Sequence, residues 1–280
     1  MTIDGGDDLR IVRDIAREAG GYALSRFREA GGLLIRAKGH QDWVSDADER
    51  VEALVRERLA ETFPDDGIVG EEQDETPGTS GRRWVIDPID GTTNFLRGIP
   101  MWCTVIAGVQ EGETRLGVIH DAAHGETFAA RLGGGATLND EPLALGGGTA
   151  MAEATIALGM SGRAPGRAPE LARDILAEGA LFARNGSGAL SLAWVAAGRY
   201  AGYLEAHMNA WDCIAGQLIV SEAGGRVEAQ DADAMIANGG RVVVGHASTQ
   251  DALVRIADAH WRRGPTPRAA APDPWPRSRP

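Results

Sequence analysis

The feature that most constrains this chain is the run Trp84-Val85-Ile86-Asp87-Pro88-Ile89-Asp90-Gly91-Thr92-Thr93-Asn94-Phe95. Trp, Val and Ile suit a buried strand. Two carboxylates three positions apart follow, where the strand gives way to a Gly-Thr turn. Pro88 restricts Asp87 to extended backbone and is expected to stop the strand from pairing further. Gly91 frees the turn from Cβ clashes. Both carboxylates, the Ile89 carbonyl and the Thr92 hydroxyl are then offered to one small volume. Oxygen donors at that density suit a hard cation, Mg²⁺ rather than Zn²⁺. If Gly91-Thr92-Thr93 open a helix, their amides face an oxyanion. A metal site beside a phosphate cradle implies phosphoryl chemistry. Taken alone, the same string also describes a surface turn, so the other acids decide its meaning.

Periodicity places those acids. Leu9, Val12, Ile15, Ala16, Ala19 and Ala23 recur at three- and four-residue steps, which predicts an amphipathic helix ended by Gly31-Gly32. Ser45, with Asp48 three residues on, predicts the capped start of a second helix. After a turn at 64–67, a short strand over 68–70 delivers Glu71 and Glu72. Segments 102–109, 114–120 and 126–131 read as antiparallel strands. Strands over 154–158, 181–184, 203–205 and 242–244 then alternate with helices over 169–179, 187–198 and 211–223. Ser248 is the expected cap of a last helix. Blocks of helices and mostly antiparallel strands imply a layered α/β sandwich.

At 280 residues the chain suits one large domain or two intimate halves. Residues 1–263 read as that domain, with the boundary between halves near 145–153. Residues 264–280 are rich in Pro and Arg and poor in apolar residues, and are expected to be disordered. A net charge of -12 and a pI near 5.0 argue against nucleic-acid and anionic-membrane partners. They leave an anionic substrate open, because bound divalent cations reverse the local field. No apolar run approaches the ~18 residues of a membrane span. The N-terminus is acidic and polar, unlike a signal peptide. Cys103 and Cys213 make no disulfide framework, so a reducing cytoplasm is expected.

Each further acid has two readings. Glu71 is either a ligand at a strand end or one of an exposed Glu pair. Asp212 follows Trp211 at an expected helix start, where capping and metal ligation are both served by a carboxylate. Asp48 is a capping residue or a member of the site. His120 and His124 flank a turn between strands and read as structural.

Taken together, Asp48, Gly70-Glu71-Glu72, the Trp84–Phe95 run, Trp211-Asp212-Cys213-Ile214-Ala215-Gly216 and Ser221-Glu222-Ala223-Gly224-Gly225 resemble the inositol monophosphatase family. These are lithium-sensitive, Mg²⁺-dependent phosphatases related to fructose-1,6-bisphosphatase. The resemblance runs from about Leu9 to Ala259. It implies an α/β/α/β/α sandwich, an α+β fold, with two or three Mg²⁺ ions in each active site. By this resemblance Glu71, Asp87 and the Ile89 carbonyl hold a first metal. Asp87, Asp90 and Asp212 hold a second, and Glu71 and Asp48 border a weaker third. Thr92 and Glu71 orient the attacking water. The amides of Gly91 and Thr92, beside Asp90, bind the phosphate. Gly186, Ser187 and Gly188 line the pocket, and Glu205 accepts hydrogen bonds from substrate hydroxyls. The segment Arg184–Gly188 is one residue shorter than in common inositol phosphatases.

The expected activity is hydrolysis of a small polyol phosphate, first myo-inositol monophosphate, by a homodimer. Histidinol-phosphate phosphatase is the nearest enzymatic rival. A catalytically silent binding or regulatory module is the rival of another class. A haloacid-dehalogenase mechanism needs two Asp residues spaced by two, and the spacing here is three.

Overall fold

The computed structural model describes residues 7–29, 35–39, 42–146, 148–160 and 167–261. The expected tail and the Gly31-Gly32 stop lie outside the described residues. Helix α1 (Asp7–Arg28) buries Val12, Ile15, Ala16, Ala19 and Ala23, the stripe that predicted it. Strands β1 (Ile35–Gly39) and β2 (Asp42–Ser45) pair as an antiparallel hairpin. Helix α2 (Asp46–Thr62) opens with the expected capping box. Strands β3 (Gly67–Gly70) and β4 (Arg82–Asp90) then pair in parallel. A short helix α3 (Thr92–Leu96) leads to β5 (Cys103–Gln110), β6 (Glu113–Asp121), β7 (Glu126–Arg131), β8 (Gly135–Leu138) and β9 (Glu141–Leu143). From β4 onward each strand pairs antiparallel with the next, which completes a seven-stranded sheet in chain order.

After Leu143 the chain builds a second sheet. Its elements are β10 (Thr155–Leu158), α4 (Ala168–Ala177), β11 (Leu181–Ala183), α5 (Gly188–Ala196), β12 (Gly202–Met208), α6 (Ala210–Glu222), β13 (Arg226–Val227), α7 (Ala232–Asn238), β14 (Gly240–Gly245) and α8 (Gln250–His260). The strand order is β11-β10-β12-β14-β13, with β10 parallel to both neighbours and the remaining pairs antiparallel.

Side-chain alternation along the strands explains the layering. In β4, Trp84 and Ile86 face α1 and α2, whereas Val85 faces the opposite core with α5 and α6. In β14, Val242 and Val244 join the α5–α6 core, whereas Val243 packs with Leu171 of α4 and Leu253 of α8. Both sheets are therefore covered on both faces, and α5 and α6 lie between them. The order of layers is α1–α2, sheet, α5–α6, sheet, α4–α8, the α/β/α/β/α sandwich.

Two expectations are corrected. Pro88 does not end β4: Asp87 pairs with Val105 and Asp90 with Cys103, so three steps on β4 match two on β5. This bulge places Pro88 where no amide donor is required, and its carbonyl accepts the Thr104 hydroxyl at 2.9 Å. Ser248 does not cap α8. The cap residue is Thr249, and Ser248 Oγ donates to the Thr149 carbonyl at 2.8 Å. The Asn139-Asp140 turn is the tip of a two-strand hairpin, β8–β9, with φ of 49° and 72°. Positive φ at both central residues is what such tight hairpins require.

Candidate active site

Register brings the first two acids together. Gly70 pairs with Ile86 across the parallel β3–β4 ladder, so Glu71, just past the end of β3, stands beside Asp87 of β4. Asp212, in the first turn of α6, reaches the same point from the second half of the chain. One carboxylate oxygen from each of Glu71, Asp87 and Asp212 lies within 4.8 Å of the others. Asp87 is buried, and its Oδ1 has no hydrogen-bond partner. Burial, then the charges of Glu71, Asp90 and Asp212, hold the Asp87 carboxyl well above the ordinary range. A buried, unpartnered oxygen amid three converging carboxylates fits a hard divalent cation, which would relieve both the desolvation and the repulsion.

Asp90 stands beside this trio. Its Oδ2 accepts the Ser187 hydroxyl at 2.5 Å and the Ala189 amide at 2.7 Å. Burial raises its pKa, opposed by the Ser187 hydroxyl and the amides that open α5. Ser187 therefore does more than line a pocket: it joins α5 to the motif, and its Oγ also accepts the Leu190 amide at 3.1 Å as the helix cap. The buried Cys103 thiol lies 3.9 Å from Asp90 Oδ2 and 3.7 Å from Ser187 Oγ.

Asp48 and Asp212 each give Oδ2 to the start of their own helix. Asp48 Oδ2 accepts the Ser45 amide at 2.9 Å and the Ser45 hydroxyl at 2.6 Å. Its Oδ1 faces Thr92, whose Oγ1 lies 3.1 Å away and 3.0 Å from the Ile89 carbonyl. Burial raises the Asp48 carboxyl, and Ser45 and Thr92 oppose the shift. Asp212 Oδ2 accepts the Asn209 amide at 3.1 Å and so caps α6. His120 and His124 take no part: His120 Nδ1 is 3.0 Å from Thr127 Oγ1, and His124 Nδ1 is 2.8 Å from Asp121 Oδ2.

A cleft of about 160 Å³ opens beside the acids, lined by Asp90, Arg184, Gly188, Glu205 and Asp212 among others. Glu205 is buried there and accepts the Tyr203 hydroxyl. Burial pushes the Glu205 carboxyl up to about 8. Gly159 borders the pair, and a Cβ at that position would lie 2.2 Å from both Glu205 Oε2 and the Tyr203 hydroxyl. Gly91 has φ of 96°, and a Cβ there would meet the Met101 carbonyl at 2.8 Å. The Asn94 amide donates to the Met101 carbonyl at 2.8 Å and to the Asn185 carbonyl at 2.7 Å. The second of these bonds ties the motif to the segment carrying Gly186, Ser187 and Gly188. A larger cavity of about 310 Å³, bordered by Leu132, Gln217 and Met235, shares no lining residue with the cleft. Among the described residues, the acidic trio adjoins the smaller cleft through Asp212, and none of its members lines the larger cavity.

Sequence reasoning missed Tyr203, Gly159, Asn94 and the buried Glu52 on α2. Tyr203 had a signal, since residues two apart on a strand share a face. Gly159 had none, because its neighbours come from another strand.

The sequence profile of the inositol monophosphatase family matches residues 8–262. An inositol-1-monophosphatase of Rhizobium meliloti is 39% identical over 252 residues, covering 89% of this chain and 95% of that one. A Nus factor SuhB of Xylella fastidiosa is 38% identical over 222 residues, covering 78% of this chain and 80% of that one. The solved structure of the extragenic suppressor protein SuhB from Bartonella henselae superposes with a TM-score of 0.83 at 33% identity, covering 90% of this chain and 98% of that one. This chain belongs to the inositol monophosphatase family and is, with it, a phosphoric monoester hydrolase.

Proposed function

We propose that the protein hydrolyses a small polyol phosphate, first myo-inositol monophosphate, in a Mg²⁺-dependent reaction. The observation that carries the reading is the convergence of Glu71, Asp87 and Asp212, with a buried unpartnered Asp87 oxygen, beside a cleft walled by Glu205. Water adds to phosphorus, the P–O bond to the alcohol breaks, and the alcohol leaves with a proton. Divalent cations held by Glu71, Asp87, Asp90, Asp212 and the Ile89 carbonyl would supply charge neutralisation for the phosphoryl oxygens and acidify water. Thr92, fixed between Asp48 and the Ile89 carbonyl, orients the attacking water together with Glu71. The Gly91 and Thr92 amides hold the phosphate. Glu205 accepts hydroxyl hydrogens of the alcohol, with the Tyr203 hydroxyl setting its orientation. Phosphoryl transfer asks for this positioning rather than a covalent nucleophile.

Arg184 is the one basic side chain among the described residues lining the cleft, which favours a monophosphate over a bisphosphate. The relatives named Nus factor SuhB keep a second reading in play, a binding module on the same fold. Phosphate release from inositol phosphates, histidinol phosphate, adenosine 3′,5′-bisphosphate and sugar phosphates, with Mg²⁺ and with chelator, separates these readings. The expected result is Mg²⁺-dependent release, fastest from an inositol monophosphate and inhibited by millimolar Li⁺. Faster release from histidinol phosphate would overturn the polyol assignment. No release from any ester would favour the binding module.

A further inference from the structure

Glu52 lies outside the acidic trio and is wholly buried in the middle of α2. A carboxylate in that position must find partners. Its Oε2 accepts the Glu72 amide at 2.8 Å, and its Oε1 accepts the Gln73 amide at 3.2 Å and Arg56 Nε at 2.8 Å. Arg56 in turn donates to the Gln73 carbonyl and to the Thr76 hydroxyl, both at 3.1 Å. Gly70 packs against the same carboxylate, where a Cβ would lie 2.1 Å from Glu52 Oε1. The residue between Gly70 and Glu72 is Glu71. Asp48, Glu52 and Arg56 follow at four-residue steps and so share one face of α2. That face meets Thr92 through Asp48 and grips the Glu71 turn through Glu52.

We propose that Glu52 is a positioning residue, which holds the Glu71 turn so that the Glu71 carboxylate stays aligned with Asp87 and Asp212 for a divalent cation. The inference rests on the metal-dependent reading above. A purely structural Glu52 would neutralise Arg56 and tie down a loop without changing metal affinity, so affinity separates the two roles. Partners that orient a metal ligand from behind are typically worth about 10–100-fold in affinity.

Glu52→Gln keeps the volume but turns an amide group toward backbone N–H donors. Glu52→Asp keeps the charge opposite Arg56 but is one methylene short of both amides. Calorimetric titration of Mg²⁺ or Mn²⁺ into chelator-stripped protein should show binding about tenfold weaker or more in both variants. The metal-free melting temperature reads the structural contribution separately, and Glu52→Asp serves if Glu52→Gln does not fold. Wild-type affinity in the variants, with only a lowered metal-free melting temperature, would overturn this proposal alone. Absence of binding by the wild-type protein would overturn it together with the metal-dependent reading.

Discussion

A carboxylate has two oxygens, and Asp48, Asp90 and Asp212 each assign one of them to the scaffold. Asp48 Oδ2 caps α2, Asp212 Oδ2 caps α6, and Asp90 Oδ2 receives the start of α5. The helices thus orient the acids, and the acids stabilise the helix ends, a cap being worth about 1 kcal/mol. This division shapes what a substitution does. In Asp90→Asn the carbonyl oxygen can keep the Ser187 and Ala189 bonds, while the amide group replaces a charge next to Asp87. The fold should persist and turnover should fall at least ~100-fold, about 3 kcal/mol of transition-state stabilisation. Turnover at saturating Mg²⁺, with a melting curve as control, checks this. A near-wild-type kcat would remove Asp90 from the site.

At the scale of elements, the site is a meeting of ends. Strand β3 delivers Glu71, the bulged end of β4 delivers Asp87 and Asp90, and α5 and α6 point their N-termini inward. The far wall belongs to the second sheet, where Tyr203 and Glu205 on β12 stand against Gly159 just beyond β10. That contact leaves no room for a side chain. Gly159→Ala should push Glu205 out of place, since overpacking of this kind costs roughly 1–3 kcal/mol. The KM for an inositol phosphate should rise about tenfold, equivalent to ~1.4 kcal/mol, while p-nitrophenyl phosphate, which offers no hydroxyls, is little affected. Glu205→Gln should show the same split. Equal losses on both substrates, or a collapse in melting temperature, would make the Glu205 wall structural rather than selective.

For the whole molecule, the acids concentrate a cost of folding in one place. The carboxyls of Asp87, Asp48, Asp90 and Glu205 all have raised pKa values in the folded state. In the window between the unfolded values near ~4 and the raised ones, about 8 for Glu205, the folded protein binds more protons than the unfolded chain. Their contribution to stability therefore declines as pH rises through that window, and the decline is complete above the folded values. A cation that binds only the folded state offsets this, by ~2.7 kcal/mol at a hundredfold excess over Kd. Mg²⁺ should accordingly raise the melting temperature by about 5 °C at pH ~8 and by much less near pH ~5, where protonation competes with the metal. Melting curves with chelator and with Mg²⁺ at the two pH values test it. Superimposable curves at the higher pH would count against a preformed metal site. Among the described residues no helix is long and apolar enough to cross a membrane.

Much of this was legible before the structure. The stripe of α1, the capping box at Ser45 and Asp48, and the strand that ends in the two motif acids are local patterns. Their physics acts over a few residues, so spacing alone reveals it. The bulge at Pro88 was misread because proline has no N–H to donate a ladder hydrogen bond, whereas the partner strand can slip by one residue and remove the need for it. The hairpins β1–β2 and β8–β9 were missed because short strands carry too few alternations to register. What only the tertiary structure decided is which atoms meet. Glu71, Asp87 and Asp212 converge through the β3–β4 register and the seating of α6 between two sheets. Glu52 reaches the backbone behind Glu71 from the preceding helix, and Gly159 admits Glu205 from a different strand. The sequence determined which chemical groups were available and which elements bear them. Packing determined which acids converge and committed Asp90 Oδ2 to the start of α5, because those contacts join residues far apart in sequence, which no local spacing encodes.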